Sequence, residues 1–308
     1  MYDLIGDIHG HADELVQLLE ALEYRDFGGV YRHPERKVIF LGDFIDRGPQ
    51  IPRVLGIVRP MVEAGHALAV MGNHELNALA FHTEDRDAPG ERLRRRTAKN
   101  EKQHRATLEQ LSSEVLRSHL NWFRTLPMWL ELDGLRAVHA CWDERAIGAV
   151  SAGLQSHGGI TDDFLHSACR KGQPLFAPVE ILLKGKEGKL PEGASFVDKD
   201  GHVRTEIRTR WYLPPEGHTY RSYALQSDPI DCDHPLDASV AAAASPYPTD
   251  GKPIFLGHYW LSAVQPSVLT RNVACLDFSV AKKGFLCAYR WNGERILSDE
   301  NFVRANRT

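Results

Sequence analysis

Residues Val38–Gly48 read VIFLGDFIDRG. Four apolar residues in a row are the signature of a strand buried on both faces, as in a parallel sheet. The character then changes abruptly to Gly42-Asp43 and Asp46-Arg47-Gly48. Open α/β sheets build their sites at the carboxyl ends of strands. A carboxylate there, beside a glycine that permits close approach, is a candidate metal position. Two similar junctions flank it. YDLIGDIHG, Tyr2 to Gly10, puts Asp7 and His9 behind a strand, and ALAVMGNHE, Ala67 to Glu75, puts Asn73, His74 and Glu75 behind another.

Between these strands the apolar period changes from continuous to helical. Leu15, Leu18, Leu19 and Leu22 predict a helix over Asp13 to Leu22, and Val54, Leu55, Val58, Met61 and Val62 predict a second after Pro52. The order is βαβαβ, which implies a parallel sheet with right-handed crossovers. Residues 23–37 read as a connection, and Leu108, Leu111, Val115, Leu116 and Leu120 predict one further helix. Trp129 to Leu132 and Leu135 to His139 read as a hairpin about Asp133-Gly134. Its second strand delivers His139, and IFLGHYW, Ile254 to Trp260, delivers His258 in the same way. The proline-bearing stretch 145–235 interrupts the sheet pattern, with a hairpin expected about Asp198 to Gly201. GFLCAYRWNGERIL closes the chain as two strands about Asn292-Gly293.

Composition sets the outer limits. The 308 residues carry a net charge of -4, so no global field draws the chain to nucleic acid or membrane. Five cysteines without a CxxC favour a reducing compartment over a disulfide framework. No apolar run is long enough to span a bilayer, and the first strand begins at once, so a cytoplasmic protein without a signal peptide is expected.

Asp7, His9, Asp43, Asn73, His139 and His258 offer three oxygen and three nitrogen ligands. Such a set suits manganese, iron, zinc or cobalt rather than calcium. Six ligands exceed one open site but fit two cations if one carboxylate is shared, and Asp43 on the middle strand is best placed for that. Water held between two cations loses a proton near neutral pH. Taken singly, a Gly-Asp pair is a common turn and a lone histidine a common core residue. GDIHG, GDFIDRG and GNHE at successive strand ends are a different matter.

These three blocks, followed by VHACW and LGHYW, resemble the calcineurin-like metallophosphoesterases, in the branch of phosphoprotein phosphatases and symmetrical diadenosine tetraphosphatases. The blocks run from residue 5 to 260. The resemblance implies an α/β fold whose two-sheet β-sandwich core is flanked by helices, one domain with cap-like insertions at about 82–125 and 145–250. It assigns one metal to Asp7, His9 and Asp43, and the other to Asp43, Asn73, His139 and His258. The metals expected are two divalent ions, manganese foremost, with iron, zinc, cobalt or nickel as alternatives. Several branches place a second histidine two residues after the first in the last block. Here that position is Trp260.

Four residues have further expected roles. His74 can protonate the leaving oxygen as general acid, and Asp46 can hold its tautomer. Arg47 offers a fork of donors for phosphate oxygens, and Asn73 can touch the phosphate as well as a metal. Glu75 reads as a supporting partner rather than a catalyst. Residues 91–105 hold seven Lys or Arg against two Glu, which is either a solvated helix face or a lid. Arg204, Arg208 and Arg210 share one face of an expected strand and are candidates for a second phosphate clamp. The expected activity is hydrolysis of phosphomonoesters or phosphoanhydrides by metal-bound hydroxide, without a phosphoenzyme. Dinucleoside polyphosphates or a broad range of phosphate esters are favoured as substrates. Serine/threonine phosphoproteins are the alternative, and a non-catalytic phospho-binding role is disfavoured because no ligand is lost. Neither a membrane nor, RNA 5′ ends aside, a nucleic acid is expected as partner.

Overall fold

The computed structural model describes residues 1–198, 201–225 and 230–306. The opening is βαβαβ: β1 (Tyr2–Ile5), α1 (Ala12–Ala21), β2 (Lys37–Phe40), α2 (Ile51–Glu63) and β3 (Ala67–Ala69). β2 pairs in parallel with β1, Ile39 opposite Leu4, and with β3, Ile39 opposite Leu68. α1 buries Leu15, Leu18 and Leu19. Pro52 stands in the first turn of α2, where its missing N–H has no helical partner to lose.

α3 (Asn73–His82), α4 (Ala98–Gln110) and α5 (Ser113–Phe123) follow, then the hairpin of β4 (Trp129–Glu131) and β5 (Arg136–Val138). α6 (Glu144–His157), α7 (Asp162–Cys169) and α8 (Phe176–Lys184) lead to the short pair β6 (Glu187–Lys189) and β7 (Glu206–Arg208). β8 (Ile254–Leu256), β9 (Val273–Cys275), β10 (Asp277–Phe278), β11 (Phe285–Trp291) and β12 (Phe302–Asn306) complete the chain. One sheet runs β12–β11–β1–β2–β3, with β10 also on β11, and the other runs β9–β8–β5–β4.

Strand alternation divides the core. Leu4, Ile39 and Val70 of the first sheet pack with Ala137, Phe255 and Ala274 of the second, which is the sandwich interior. Their sequence neighbours Ile5, Val38 and Phe40 point the other way and join the leucines of α1 and α2. Val138, Ile254 and Leu256 belong to the cluster that holds Val150 of α6 and Val179, Leu182 and Leu183 of α8. The expected two-sheet sandwich flanked by helices is therefore the observed fold. Among the described residues, no helix is long and apolar enough to cross a membrane.

Four local expectations are corrected. The apolar positions 108–120 form two helices, because Ser112 caps a new start by accepting the Val115 N–H; Leu108 and Val115 are 39% and 44% exposed and share no buried face. Residues 23–37 contain a small antiparallel pair, Arg25–Asp26 with Tyr31–Arg32. After Asn292-Gly293 the chain does not return as a strand: β11 takes β12 as its neighbour, while Leu297 is buried with the sandwich interior. The expected strand through Arg204 and Arg208 is split, Val203–Arg204 pairing with Phe196–Val197 and Glu206–Arg208 with β6. Of the turn at Asp198 to Gly201, residues 199 and 200 lie outside the described residues.

At the far end of β1, Asp3 is fully buried. It accepts from Arg36 Nε at 2.9 Å, Arg290 Nε at 3.0 Å and the Tyr24 hydroxyl at 3.0 Å. Arg36 also donates to the carbonyls of Tyr2 and Trp291, each at 2.8 Å, tying β1 to β11. Asp3→Ala strands the Arg36 charge in the core and is expected to cost about 3–5 kcal/mol. Denaturant unfolding measures this, and turnover per folded molecule should be unchanged.

Candidate metal centre

The centre is assembled from turns that follow β1, β2, β3, β5 and β8. The backbone is pressed close there. Gly42 has φ +92°, and a Cβ on it would lie 2.4 Å from Gly72 N; one on Gly257 would lie 2.0 Å from Asp7 Oδ1. Among the described residues, nine non-glycine residues have positive φ, and six of them are His9, Asp43, Asp46, Arg47, His258 and Trp260. Such conformations cost about 1–3 kcal/mol each and persist where the surroundings enforce them, which is common at functional sites.

Asp43 stands in the middle. Its Oδ2 is 3.5 Å from His9 Nε2, and its Oδ1 is 3.5 Å from His139 Nε2. His9 Nδ1 donates to the Ile45 carbonyl at 2.9 Å and His139 Nδ1 to the Leu41 carbonyl at 2.6 Å. Both rings are thus locked with Nε2 facing the cluster, the arrangement of metal-ligating histidines. His9 Nε2 is buried with no hydrogen-bond partner. Asn73 Oδ1 lies 2.8 Å from His258 Nδ1 and 3.1 Å from His139 Nε2, while the His258 N–H donates to Asp7 Oδ2 at 3.0 Å. Ligand atoms of His9, Asp43 and His74 lie within 4.8 Å of one another, as do those of Asp7, Asp43 and His139, so Asp43 is common to both groups.

Burial and mutual interaction shift the acids and imidazoles of the centre in both directions. Burial raises the Asp7 carboxyl well above its usual range, and Asp277 and Asp43 add to it. Asp43 is held well below the usual range, because His139 and His74 outweigh the effect of burial. Burial and the neighbouring His74 push His9 down to about 3. His139 goes up to about 10 despite burial, drawn by Asp43 and Asp7. An orphaned imidazole nitrogen, clustered carboxylates and mixed nitrogen and oxygen donors fit divalent transition metals.

Beside this cluster His74 Nδ1 donates to Asp46 Oδ2 at 2.6 Å. Asp46 Oδ1 accepts from Thr107 Oγ1 at 2.5 Å and His104 Nδ1 at 2.8 Å. Burial alone would raise the Asp46 carboxyl, but hydrogen bonds from His104 and His74 hold it below its usual value. Sequence reasoning missed His104 and Thr107. Their signal was an i, i+3 pair of hydrogen-bonding side chains at the end of the basic run; the helix there is no simple solvated face, since α4 buries both. Gln103 Nε2 also lies 3.4 Å from His74 Nε2, and Arg94 Nη2 donates to Gln103 Oε1 at 2.7 Å.

Asp277 was missed as well. It is buried at the start of β10, accepts the Trp260 and Ser279 N–H groups at 2.7 and 3.0 Å, and is raised by burial. Arg47 is exposed and lies over the Trp260 ring at 4.0 Å. Of the three candidate clamp arginines, Arg208 reaches the centre, with Nη1 donating to the His258 carbonyl at 3.5 Å. Arg204 pairs with Asp198 at 2.7 Å, and Arg210 Nε donates to the Ala224 carbonyl at 3.1 Å, both within the segment between α8 and β8. Elsewhere Asp85, Asp87 and His166 also cluster, but Arg170 Nη1 sits 2.9 Å from Asp85 Oδ1 and supplies the counter-charge.

Glu75 binds backbone rather than the cluster. Oε2 accepts the Asp43 and Gly72 N–H groups at 2.8 and 3.0 Å, and Oε1 the Phe44 N–H at 2.9 Å. Burial, then Asp43, pushes its carboxyl up to about 7. In Glu75→Gln the amide NH2 must face at least one of these donors. The expected cost is about 1–3 kcal/mol for a buried unsatisfied group, read as a lower denaturation midpoint.

Residues 2–230 match the family described as calcineurin-like phosphoesterase. Over 307 residues the chain is 26% identical to the symmetrical bis(5'-nucleosyl)-tetraphosphatase of Klebsiella pneumoniae, covering 96% of this chain and 93% of that one. It is 28% identical over 168 residues to the asymmetrical bis(5'-nucleosyl)-tetraphosphatase PrpE of Oceanobacillus iheyensis, covering 53% of this chain and 66% of the relative. For the PrpE of Halalkalibacterium halodurans, 43% identity over 74 residues covers 30% of the relative, so the chain spans less than two thirds of these PrpE proteins. Among solved structures, the cold-active protein-tyrosine phosphatase of a psychrophilic Shewanella superposes with a TM-score of 0.51 at 19% identity, over 99% of this chain and 80% of that one, a likeness of fold. The chain belongs to the calcineurin-like phosphoesterase family.

Proposed function

We propose that the chain hydrolyses phosphoanhydrides or phosphomonoesters, with two divalent cations held by Asp7, His9, Asp43, Asn73, His139 and His258. The observation that carries this reading is Asp43, buried between His9 Nε2 and His139 Nε2 at 3.5 Å from each. When bound, divalent cations supply Lewis-acid polarisation and an acidified water. The protein supplies the rest. His74 Nδ1–H is fixed on Asp46, which leaves Nε2 to deliver a proton to the departing oxygen. His104 and Thr107 act on that proton only through Asp46, by holding its carboxylate in place. Arg47 offers its fork to the non-bridging oxygens, Asn73 can touch the phosphate, and Arg208 brings a further cation beside His258. Arg204 and Arg210 are left out of the clamp, because Arg204 pairs with Asp198 and Arg210 with the Ala224 carbonyl.

For the substrate we infer a dinucleoside polyphosphate. Relatives named as tetraphosphatases support it, symmetrical over nearly the whole chain and asymmetrical over about half of it. So does the Arg94–Gln103 pair beside His74, a place where the part of the substrate beyond the reacting phosphate would meet positive charge. Manganese is the cation proposed, and reconstitution with manganese, iron, zinc, cobalt and nickel in turn tests that choice.

Chelation is expected to abolish p-nitrophenyl phosphate hydrolysis, and metal titration should reach two ions per chain. Asp43→Asn should weaken both; a single ion at saturation would refute the shared carboxylate. His74→Asn should lower kcat by roughly 10²–10⁴-fold for poor leaving groups and much less for p-nitrophenolate, as stopped assays on paired esters would show. Arg94→Ala should raise KM for diadenosine tetraphosphate and leave KM for p-nitrophenyl phosphate nearly unchanged. Product analysis separates two ADP from ATP plus AMP. Rapid turnover of phosphopeptides with little of the tetraphosphate would reject the nucleotide reading.

A further inference from the structure

The turn after His258 is anchored from below. Trp260 N–H donates to Asp277 Oδ2 at 2.7 Å, and Asp277 is itself 2% exposed. Tyr259, 1% exposed, donates its hydroxyl to the Ala140 carbonyl at 3.2 Å. His258 and Trp260 on either side both have left-handed backbone, φ 69° and 52°. These constraints fix the backbone from which the indole projects. That group is Arg47, whose Cζ lies 4.0 Å from the ring centroid.

Arg47 takes the indole as one of its contacts. It is exposed, on a long stem, at the tip of a tight turn where the Gly48 N–H donates to the Asp46 carbonyl at 2.8 Å. A guanidinium in solvent samples many rotamers, and most point its fork away from any one phosphate. An indole is well suited to restrict it. Cation–π contact engages the face of the guanidinium, whereas a phosphate takes hydrogen bonds from its edge, so the two do not compete. The indole nitrogen has no free lone pair, so this side chain cannot act as a metal ligand in the manner of a histidine. Lys282 Nζ, 5.9 Å from the same centroid, adds a second positive charge at this ring.

We infer that Trp260 is a positioning residue: its ring, carried on a backbone that the buried Asp277 anchors, holds the Arg47 guanidinium in readiness for the substrate phosphate. The inference rests on the reading of Arg47 as the phosphate clamp. It is tested by a double-mutant cycle on the manganese-loaded enzyme, with inorganic phosphate as competitive inhibitor and p-nitrophenyl phosphate as substrate. Trp260→Leu should raise the phosphate inhibition constant by about 2- to 30-fold, the span of a cation–π contact from exposed to desolvated, with metal content and melting temperature held. Trp260→Phe should recover most of the loss. In the Arg47→Ala background, Trp260→Leu should change the constant by less than about 2-fold, the weakest effect such a contact has. Equal losses with and without Arg47 would overturn the inference. So would full phosphate affinity in Trp260→Leu beside a weakened Arg47→Ala, and in that case the clamp reading would stand. An Arg47→Ala enzyme with unchanged phosphate affinity would overturn both. Should Trp260→Leu fail to fold, Trp260→Phe serves in the same cycle: a rise in the constant that persists without Arg47 defeats the inference.

Discussion

A carboxylate buried to 2% exposure keeps its charge only if the structure provides for it, and much of this molecule is arranged to provide for Asp43. The His74 N–H donates to Oδ1 at 2.9 Å, and the imidazoles of His9 and His139 stand at 3.5 Å on either side. Its own backbone is tied down by Glu75, which in turn needs the close contact of Gly42 with Gly72. Five strand ends from two sheets meet at this point. The sandwich brings them together because both sheets present the carboxyl ends of their parallel strands to the same side.

The segments between motif blocks are not mere connections. α4 closes over Asp46 with His104 and Thr107, on the carboxylate that also accepts from His74. The segment between α8 and β8 brings Arg208 to the His258 carbonyl. Each of these segments therefore adds a charged or hydrogen-bonding group beside a centre whose interior comes from strand ends. Variation in such segments could alter the substrate range without disturbing the ligands themselves.

The strained turns follow the same logic. His9, Asp43, Asp46, Arg47, His258 and Trp260 occupy left-handed conformations that an isolated chain avoids. Their cost is carried by the buried sandwich and by side-chain anchors such as Asp277 and Glu75. In return, side chains that strand geometry would send to opposite faces converge on one small volume.

The sequence by itself determined the βαβαβ opening, the strand-end position of every proposed ligand and the family. Each of these is a local matter: apolar period, a glycine beside a carboxylate, a block of four to seven residues. It could not distinguish one helix from two over residues 98–123, because a Ser112 cap competes with an almost continuous apolar pattern and only packing exposes Leu108 and Val115. Nor could it find β12 as the partner of β11, since a turn sequence at Asn292-Gly293 says nothing of a better edge further along. Tertiary structure alone decided that Asp46 serves two histidines, that Arg208 meets the His258 carbonyl, and that Trp260 lies beneath Arg47. The physical reason is common to all three: hydrogen bonds and stacking between residues dozens to hundreds of positions apart depend on where the folded backbone places them, and no local pattern carries that distance.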